Sequence, residues 1–592
     1  MKAIIFLAIF YITLNQLYSQ HIFERQKRDY IWLIGNSPLM VGGNDMTKLD
    51  FNFAHLQVIS IDIDMNFWHT NASISDALGQ LQFYTNGIEV RNFNNDTLAT
   101  GLAPTQMSEG FQNSGYPNEQ GALILPLPSF DSIYYIFHAD REWAPQGGNR
   151  VENLYYTKVH MEANEGMGRV VEKNMPVIED TLTYGRITAT RHANGRDWWI
   201  MVPQYYSNSL YSFLFSSGGI SNLDLQTIGE TIPSGAGQFV FSPDGTKYIG
   251  LNVVHIGDAE DYHIHIYDFD RCSGRLSNPQ YFAVTDVSFP GGGVAISENS
   301  RFLYVVTWMN IYQFDLSFPE IEATKIKIAE YDGFEDPIYD LNTDFKLAQL
   351  GPNGKIYIAC ATSANYLHII HTPNQKGLAC KVEQHALELA ALNDRSIPNF
   401  PYYGLGPLDG SPCDTLGIDN PPPQAAFSYV IEDSAAFQVD FYDGTRFSPE
   451  SWLWDFGDGQ SSTERFPVHA YAEAGVYEVC LTTSNQTGSD TFCDTVNFLA
   501  TGVQETIHTP PGFSVFPNPA SSRLAVSSGR PFAGQHLSLY SVMGREVLAH
   551  GLPEGATSFA FSVAGLPPGV YFVSIWEGAA AVWSERVVVG RR

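Results

Sequence analysis

The fold is decided by three stretches that share one pattern: Ser242-Pro-Asp-Gly-Thr-Lys-Tyr-Ile-Gly, Ser297-Glu-Asn-Ser-Arg-Phe-Leu-Tyr-Val and Gly351-Pro-Asn-Gly-Lys-Ile-Tyr-Ile-Ala. Each is a polar turn followed by an apolar strand, and their starts lie 55 and 54 residues apart. Weaker copies begin at Asp76, near Leu127 and at His192. A period of about 50 residues built of strands and turns is typical of the four-stranded blades of a β-propeller. Over residues 28–418 this period predicts about seven blades.

The ring is expected to close by pairing the two ends of this region, Tyr30–Gly35 with Pro401–Gly406. Closure would protect edge strands that otherwise invite aggregation. A β-helix or another solenoid is the alternative architecture. We favour the propeller, because solenoids have shorter and stricter periods.

The composition supports an all-β chain of several domains. Of the 592 residues, 44% are hydrophobic and 16% are charged, with 51 Gly and 33 Pro. Such a chain buries enough apolar surface to exclude bulk disorder, and the scattered Gly and Pro argue against coiled coils and helical bundles. The formal net charge of −30 would repel phosphate backbones and anionic lipids, so we expect neither nucleic-acid nor membrane-surface binding.

Residues 1–19 have the features of a secretory signal peptide. Lys2 is followed by the uncharged run Ala3–Leu14 and then by the small residue Ser19, after which cleavage is expected. The run is too short for a transmembrane helix, and no later segment is long and apolar enough to span a bilayer. The sequence therefore predicts an exported protein.

The six cysteines are too few for a disulfide scaffold. Cys480 and Cys493 fall opposite each other if Tyr477–Ser484 and Ser489–Val496 form a hairpin, so a disulfide between them is predicted. The cysteines without an assigned pairing are Cys272, Cys360, Cys380 and Cys413. Among these four, the pair 380 and 413 is favoured, because the closing blade would bring the two segments together.

A second module is predicted at residues 425–500, behind a stiff linker at 419–424 that contains Pro421-Pro-Pro. Its centre is the run Trp454-Asp455-Phe456-Gly457-Asp458-Gly459. The two aromatic residues alternate onto a core face, the two glycines permit a tight turn, and Asp458 can cap the amides of that turn. The run resembles that of polycystic-kidney-disease (PKD) domains, which implies an immunoglobulin-like β-sandwich. Calcium ligation by Asp455 and Asp458 stays open as the alternative role.

The last module is predicted at residues 512–592, after a linker at 501–511. It contains Val515-Phe-Pro517-Asn518-Pro519, Met543-Gly544-Arg545 and Gly569-Val-Tyr571. These phrases resemble the type IX secretion C-terminal sorting domain, subtype A, which implies a small β-sandwich. The resemblance also implies two partners, the type IX secretion machinery and its sortase-like protease, and a place outside the cell or on the outer surface of a Gram-negative bacterium.

Residues 30–405 resemble the propeller of large secreted proteins that accompany type IX secretion and gliding motility. The resemblance rests on phrases such as His192-Ala-Asn-Gly-Arg-Asp-Trp-Trp and Pro398-Asn-Phe. It implies a fold and a location, but no catalytic residues.

A scan for chemistry finds no hydrolase, protease, nucleotide or dinucleotide motif, so no catalytic residue is named and no cofactor is expected. His263 and His265 would project from one face of a strand, near Asp258 and Asp261. Two imidazoles and a carboxylate could hold a metal ion. A polar face on an exposed blade strand is the favoured explanation.

Three functions stay open. The favoured one is a non-catalytic binding or adhesion protein whose propeller and PKD module display loops to an extracellular glycan or protein. The second is a propeller glycoside hydrolase or lyase, whose carboxylates would come from different blades and escape a local scan. The third is a structural component of the surface or gliding apparatus.

Overall fold

The computed structural model describes residues 21–589 except 36–44, 54, 103–113, 144–148, 234, 257–258, 288–290, 338–339, 434–435, 499–513, 517–522, 529–530, 534, 542–545, 564–565, 567–568 and 578–579. The predicted signal peptide (1–19) and the predicted linker at 501–511 lie outside these residues. The chain divides into two compact units, Met1–Phe498 and Leu499–Arg592.

Seven β-sheets form a propeller in the first unit, after a short strand β1 (His21–Ile22). The first three sheets contain β2 (Ile31–Ile34), β3 (Asp45–Asp50) and β4 (Gln57–Asp62); β5 (Ala72–Ser75), β6 (Leu81–Thr85), β7 (Glu89–Asn92) and β8 (Thr97–Thr100); and β9 (Ala122–Pro126), β10 (Ile133–Ala139), β11 (Glu142–Trp143), β12 (Asn149–His160) and β13 (Arg169–Leu182). The fourth and fifth contain β14 (Thr188–Arg191), β15 (Trp198–Pro203), β16 (Ser207–Ser216) and β17 (Gly219–Ile232); and β18 (Ala236–Phe241), β19 (Lys247–Ile256), β20 (Ala259–Asp270) and β21 (Arg275–Val287).

The sixth and seventh sheets contain β22 (Gly293–Ile296), β23 (Phe302–Val306), β24 (Asn310–Asp315) and β25 (Ile326–Glu330); and β26 (Phe345–Leu350), β27 (Ile356–Cys360), β28 (Ser363–Ile370) and β29 (Val382–Asp394). Two 3-10 helices, Ile321–Thr324 and Gly377–Cys380, precede β25 and β29. The first strands of neighbouring sheets contact one another around the axis, among them β5 with β9, β14 with β18 and β22 with β26. This arrangement confirms the predicted all-β propeller.

The repeated sequence pattern forms the turn between the first and second strands of a blade. After β18, the Ser242 hydroxyl donates to Asp244 at 2.6 Å and accepts from the amide of Lys247 at 2.9 Å. After β22, Ser297 makes the same pair of contacts, with Asn299 at 2.6 Å and Phe302 at 2.8 Å. Because side-chain oxygens cap the turn amides locally, each repeat specifies its own hairpin.

Three buried side-chain amides tie the inner strands together along the axis. Gln120 exchanges two hydrogen bonds with the backbone of Phe239, at 2.8 and 2.7 Å. Gln238 donates to the carbonyl of Ala348 at 2.7 Å. Asn399 donates to the carbonyls of Ala122 and Ile187, both at 2.9 Å. These bonds satisfy backbone groups of separate blades at once and so link the blades to one another.

The ring closes differently from the prediction. No ladder joins Tyr30–Gly35 to Pro401–Gly406 among the described residues: β2 pairs with β3 on one edge and with no described strand on the other. The segment around Phe400 runs inside the channel and packs by side chains, with the Phe400 ring 6.1 Å from that of Trp32. The expected pairing of the two ends is therefore wrong, and a bulky aromatic contact takes its place. A parallel pair of β1 with β30 (Ile418–Asp419) adds a second link between the ends.

A disulfide joins Cys272 to Cys413, which lie 141 residues apart in the sequence. The favoured pairing of Cys380 with Cys413 is therefore wrong. Cys380 is buried at the end of a 3-10 helix in the seventh blade, whereas the tail after the propeller crosses to the fourth and fifth blades, where Leu408 donates to the carbonyl of Ala193 at 2.8 Å. Cys360 and Cys380 are free and buried.

A β-sandwich follows the propeller within the same unit. Its two sheets contain β31 (Phe427–Asp433), β32 (Gln438–Asp443) and β35 (Val468–Ala470), and β33 (Ser451–Asp455), β34 (Ser461–Ser462), β36 (Val476–Asn485) and β37 (Gly488–Asn497). Their inner faces share one core around Phe441, Trp454 and Leu481. Cys480 stands opposite Cys493 in the register of β36 and β37, and the two are joined by a disulfide.

We call the end of the channel at which β9, β14 and β18 begin the upper face, and the opposite end the lower face. The sandwich packs on the lower face. Arg465 pairs with Asp443 at 2.9 Å within the sandwich and donates to the carbonyl of Asn299 in the propeller at 3.2 Å. The guanidinium of Arg301 lies 4.6 Å from the rings of both Tyr442 and Phe466. These contacts join the propeller to the sandwich.

The second unit is a smaller sandwich. Its sheets contain β38 (Ser514–Phe516), β39 (Arg523–Ser527) and β42 (Ser558–Ser562), and β40 (Gln535–Ser541), β41 (Glu546–Gly551), β43 (Gly569–Glu577) and β44 (Ala580–Val589). Leu524, Leu539 and Val573 share its core.

Candidate functional site at the mouth of the propeller channel

A cluster of charged side chains lies at the upper mouth of the channel and comes from separate blades. Glu119 precedes β9, Arg186 precedes β14, and Lys346 lies in β26. The side chain of Glu119 is 2% exposed, that of Lys346 is 3% exposed and that of Arg186 is fully buried. Charged groups are buried only where partners compensate for the lost hydration, so each of these side chains is expected to have a charged or hydrogen-bonding partner.

Glu119 is the centre of this channel-mouth cluster. Its Oε1 lies 3.0 Å from Lys346 Nζ, and its Oε2 lies 3.5 Å from Arg186 Nη1 and accepts from the amide of Gly237 at 2.7 Å. Burial favours the neutral acid, but the charges of Lys346 and Arg186 outweigh it and hold the pKa of Glu119 at about 2. The carboxylate is therefore ionised at neutral pH.

A glycine allows Arg186 to approach Glu119. Gly185 has a φ of +74°, and a Cβ at that position would lie 1.6 Å from the carbonyl oxygen of Glu119. The amide of Arg186 donates to the same carbonyl at 3.3 Å. Only glycine tolerates both the backbone conformation and this close approach.

Further nitrogen-bearing side chains surround the central carboxylate. His69 precedes β5, Arg141 follows β10 and Arg395 follows β29, so all three stand at the upper face. Burial and the charge of Lys346 hold the pKa of His69 well below its ordinary value, and its imidazole is neutral. Among the described residues, His69 Nε2 and Arg186 Nε are buried without a hydrogen-bond partner. Arg186 Nε is therefore an unused donor of the cluster.

Aromatic side chains line the rim of the same mouth. The ring of Trp68 lies 5.2 Å from that of His69, and the guanidinium of Arg141 lies 5.2 Å from the ring of Tyr184. Trp308 donates its indole N–H to Asp344, the carboxyl of which is buried. Trp68, Tyr184 and Trp308 are half-buried, so their rings remain partly accessible.

Asp344 is the second carboxyl group of the mouth. Burial raises its pKa above the ordinary value, against the hydrogen bond from Trp308. The environments of Glu119 and Asp344 therefore push their pKa values in opposite directions. A cationic base with an aromatic rim can bind a ligand that presents an anionic group and a flat face.

The predicted histidine pair lies elsewhere, on β20 in the fifth blade. His263 Nδ1 is 2.7 Å from the hydroxyl of Tyr281, and His265 is 1% exposed. Burial and the neighbouring His263 lower the pKa of His265 to about 4. Asp261 accepts instead from Thr285 at 2.6 Å, and Asp258 lies outside the described residues. The structure brings the two histidines near Tyr281, and the charge of Asp261 acts on His263, where it opposes the lowering of the His263 pKa by burial.

The described part of the chain contains one group of three carboxylates with the spacing of a metal site. Oxygens of Asp409, Asp414 and Asp419 lie within 4.8 Å of one another. Burial, and then repulsion by the other two carboxylates, raises the pKa of Asp409 against the hydrogen bonds from Asn420. The predicted linker at 419–424 begins here, and Asn420 is buried against the carbonyl of Pro407 at 2.8 Å.

The PKD motif residues lie in and after β33. Trp454 and Phe456 are buried in the core of the sandwich, and Gly457 and Gly459 have φ values of +76° and +87°. Asp455 accepts from the amide of Gly457 at 3.0 Å. Asp458 accepts from the amide of Gln460 and from His469 Nε2, both at 2.9 Å. Both carboxylates therefore cap amides of the turn after β33, and Asp458 also binds His469 of β35.

Most residues of the predicted sorting motif lie outside the described residues, namely Pro517, Asn518, Pro519, Gly544 and Arg545. Gly569 begins β43, and Tyr571 is buried in the core of the second unit.

Sequence reasoning missed the channel-mouth cluster. Its members share no sequence motif and belong to different blades, far apart in the sequence. One signal was present: Lys346 interrupts the otherwise apolar start of Phe345–Leu350 just before a repeat turn. A lone cation in an innermost strand is unusual, because that strand is surrounded by other blades.

Two parts of the chain match known domain families. Residues 419–499 match the PKD domain, and residues 514–590 match the secretion system C-terminal sorting domain. The chain is therefore an exported protein of the cell surface or the medium, handled by the type IX secretion machinery. Within the part that the structure describes, we find no helix with the length and apolarity of a membrane span.

Short matches of about the length of the PKD domain relate this chain to secreted proteases, and a longer match relates it to a propeller. Collagenase ColQ1 of Bacillus cereus is 30% identical over 95 residues, which are 16% of this chain and 9% of the collagenase. The pre-pro-metalloprotease PrtV of Vibrio cholerae is 37% identical over 79 residues, and these matches span about 9% of the length of either relative. The crystal structure of the PKD1 domain of PrtV covers 13% of this chain and 94% of that chain, with a TM-score of 0.12. The Dos1 propeller is 9% identical over 72% of this chain and 93% of its own, with a TM-score of 0.29.

Proposed function

We propose that the chain is a non-catalytic binding protein of the cell surface, whose propeller holds an extracellular ligand at the upper mouth of its channel. The observation that carries this proposal is the channel-mouth cluster: charged groups from separate blades converge on one point, and Arg186 Nε among them is an unused donor. The PKD domain packs on the lower face, at the end of the channel away from this cluster.

Binding is favoured over catalysis by the state of Glu119. A glycosidase needs one carboxyl group that reaches the substrate as an acid and a second that acts as a base or nucleophile. Glu119 is ionised, nearly inaccessible and paired with Lys346 and Arg186. Its carboxylate therefore serves a structural ion pair and does not reach a substrate. Asp344 alone does not form such a pair.

The test uses the mature exported chain on arrays of extracellular glycans and surface proteins, with reducing-sugar release measured in parallel. We expect binding without turnover, and we expect Tyr184→Ala to weaken it at the rim. Phe318→Ala is the matched control, because Phe318 is an exposed aromatic residue beside the first 3-10 helix. Sugar release that disappears in Glu119→Gln or Asp344→Asn would establish an enzyme instead.

A structural role predicts a different result. The protein would then bind no ligand on the arrays, while deletion of its gene would still impair surface assembly or gliding. That combination would overturn the binding proposal.

A further inference from the structure

We propose that the cleft between the first and second blades is a further binding site, which takes a neutral glycan through the faces of its sugar rings. The cleft has a volume of about 680 Å³ and lies between strands β2–β4 on one side and the turns around β6 and β7 on the other. Such a volume is within the range of about 300–1,000 Å³ that is usual for ligand sites. The cleft is separate from the channel mouth, so this inference goes beyond the function proposed there.

Each wall of the cleft contributes one exposed phenylalanine from a turn between strands. Phe53 lies between β3 and β4 of the first blade and is 60% exposed. Phe93 follows β7 of the second blade and is 42% exposed. A ligand that covers both rings removes their apolar surface from water, which favours binding. Because the C–H faces of sugar rings are apolar, they can pack on both aromatic rings.

The cleft also contains an amide with a fixed orientation and an unused donor. Asn95 Oδ1 accepts hydrogen bonds from the Tyr84 hydroxyl at 2.8 Å and from Arg91 Nη1 at 3.1 Å. Since a guanidinium can only donate, the atom that faces Arg91 is the amide oxygen. The NH₂ group of Asn95 is then left without a partner among the described residues, and Asn95 lines the cleft.

A second amide of the cleft is oriented in the opposite sense. Asn52 Nδ2 donates to Asp50 Oδ1 at 3.0 Å and to the carbonyl of Gly79 at 2.8 Å, which leaves Asn52 Oδ1 as the unused acceptor. Gly79 permits this contact between the blades, because its φ is +92° and a Cβ there would lie 2.1 Å from Asn52 Oδ1. The side chain of Gln80, which also lines the cleft, is exposed.

These amides select a glycan over an apolar peptide segment. A sugar hydroxyl both donates and accepts, so neighbouring hydroxyls can accept from Asn95 and donate to Asn52. A purely apolar guest would cover the same two amides and leave them without water or a partner, which is unfavourable.

The charges around the cleft favour a neutral ligand. Lys48 Nζ lies 3.5 Å from Asp50 Oδ2, so these two lining groups compensate each other. Arg91 pairs with Glu89 at 3.0 Å. Asp62 also lines the cleft, is exposed and has no ion-pair partner in the part of the chain that the structure describes. One carboxylate is therefore in excess, and it would repel a polyanionic glycan.

The experiment titrates the full mature chain with cellohexaose, laminarihexaose and mannohexaose by calorimetry, at about 150 mM salt to screen long-range attraction. We expect the wild type to bind at least one of these neutral hexasaccharides. Phe53→Ala and Phe93→Ala should each weaken that binding about fivefold or more, because each removes one stacking surface. The matched control is Phe130→Ala, since Phe130 is 46% exposed in the turn after β9 of the third blade, outside the cleft. All three variants should have the melting temperature of the wild type, because the three rings are exposed.

Three results would overturn the inference. The first is a wild type that binds none of the hexasaccharides, whether or not the cleft takes up an apolar dye. The second is binding that persists in Phe53→Ala and Phe93→Ala but is lost in Tyr184→Ala, which would place the sugar at the channel mouth and support only the proposed function. The third is equally strong binding of polygalacturonate that depends on the same two phenylalanines, because the cleft would then not select a neutral ligand. Binding that depends on Phe53 and Phe93 but not on Tyr184 would support the inference even if the proposed function failed.

Discussion

At the scale of single residues, this propeller depends on buried polar groups that are compensated across blades. Asn399 satisfies two backbone carbonyls of different blades, and Glu119 balances two buried cations. Neither residue contributes apolar area, yet each fixes the position of several strands. Removing one partner of such a group leaves the others buried without compensation, which costs more than the original contact contributed.

Glu119→Gln is the first prediction. The variant leaves Lys346 and Arg186 without their counter-charge, so the free energy of unfolding at pH 7 should fall by about 3 kcal/mol or more. The pKa of Glu119 is depressed in the folded state, so its stabilisation is present above the unfolded-state pKa of about 4.3 and is lost as the pH falls towards 2. Denaturant midpoints of wild type and variant should therefore differ most at pH 7, and the difference should shrink as the pH falls from about 4.3 towards about 2.

The control for this prediction is Glu473→Gln, because Glu473 is an exposed residue of the PKD domain. Its midpoint should follow that of the wild type at every pH. A constant difference between Glu119→Gln and the wild type down to the lowest pH would contradict the ion-paired state of Glu119.

At the scale of elements, local turn chemistry specifies each hairpin. The repeat turns are capped by Ser242 and Ser297, and the turn after β33 is capped by Asp455 and Asp458. Burial alone would raise the pKa of Asp458, but the hydrogen bonds from the Gln460 amide and from His469 outweigh burial and hold this pKa below its ordinary value. Both oxygens of the Asp458 carboxylate are thus hydrogen-bonded within the PKD domain.

Asp458→Ala is the second prediction. The variant loses acceptors for Gln460 and His469, which should destabilise the PKD domain by about 1–2 kcal/mol. Adding calcium should shift the melting temperature of wild type and variant equally. Asp494→Ala on the exposed face of β37 is the control for lost charge. A calcium-dependent rise in the wild type that the Asp458 variant lacks would instead establish calcium ligation.

At the scale of the whole molecule, the propeller and the PKD domain form one unit. The Cys272–Cys413 disulfide anchors the tail that leads into the PKD domain, and Arg301 and Arg465 bind the two domains together.

The third prediction concerns this disulfide. Mass spectrometry of non-reduced digests should find Cys272 linked to Cys413, with Cys360 and Cys380 as free thiols. Because the bridge closes a loop of 141 residues, loop-closure entropy predicts a stabilisation of about 5 kcal/mol. The double variant Cys272→Ser with Cys413→Ser should have a lower melting temperature than the wild type. The variant Cys360→Ser removes a free thiol and should keep the Cys272–Cys413 link. A peptide that joins Cys380 to Cys413 would contradict the assignment.

The fourth prediction concerns export. The sorting domain is expected to be removed during transport, so the mature surface protein should lack residues before about Gln20 and after about Pro511. Deletion of Val515–Arg592 should leave the protein in the periplasm, as measured by fractionation. Deleting a propeller segment of the same length would not be a suitable control, because it would unfold the ring. The control is instead a tag placed after Arg592, which should be absent from the exported protein. Intact C-terminal peptides on surface protein would argue against removal.

The sequence by itself determined the features that short segments specify. Repeat turns, the Trp454–Gly459 run and the opposition of Cys480 with Cys493 all depend on residues within about one hairpin, whose geometry is fixed by local hydrogen bonds and strand periodicity. Only the tertiary structure decided the closure through Phe400, the bridge between Cys272 and Cys413 and the channel-mouth cluster. Glu119, Arg186 and Lys346 meet because the ring brings distant blades to one axis, and no local pattern encodes that distance. The site therefore follows from the closure of the ring, and the elements that build it follow from the sequence.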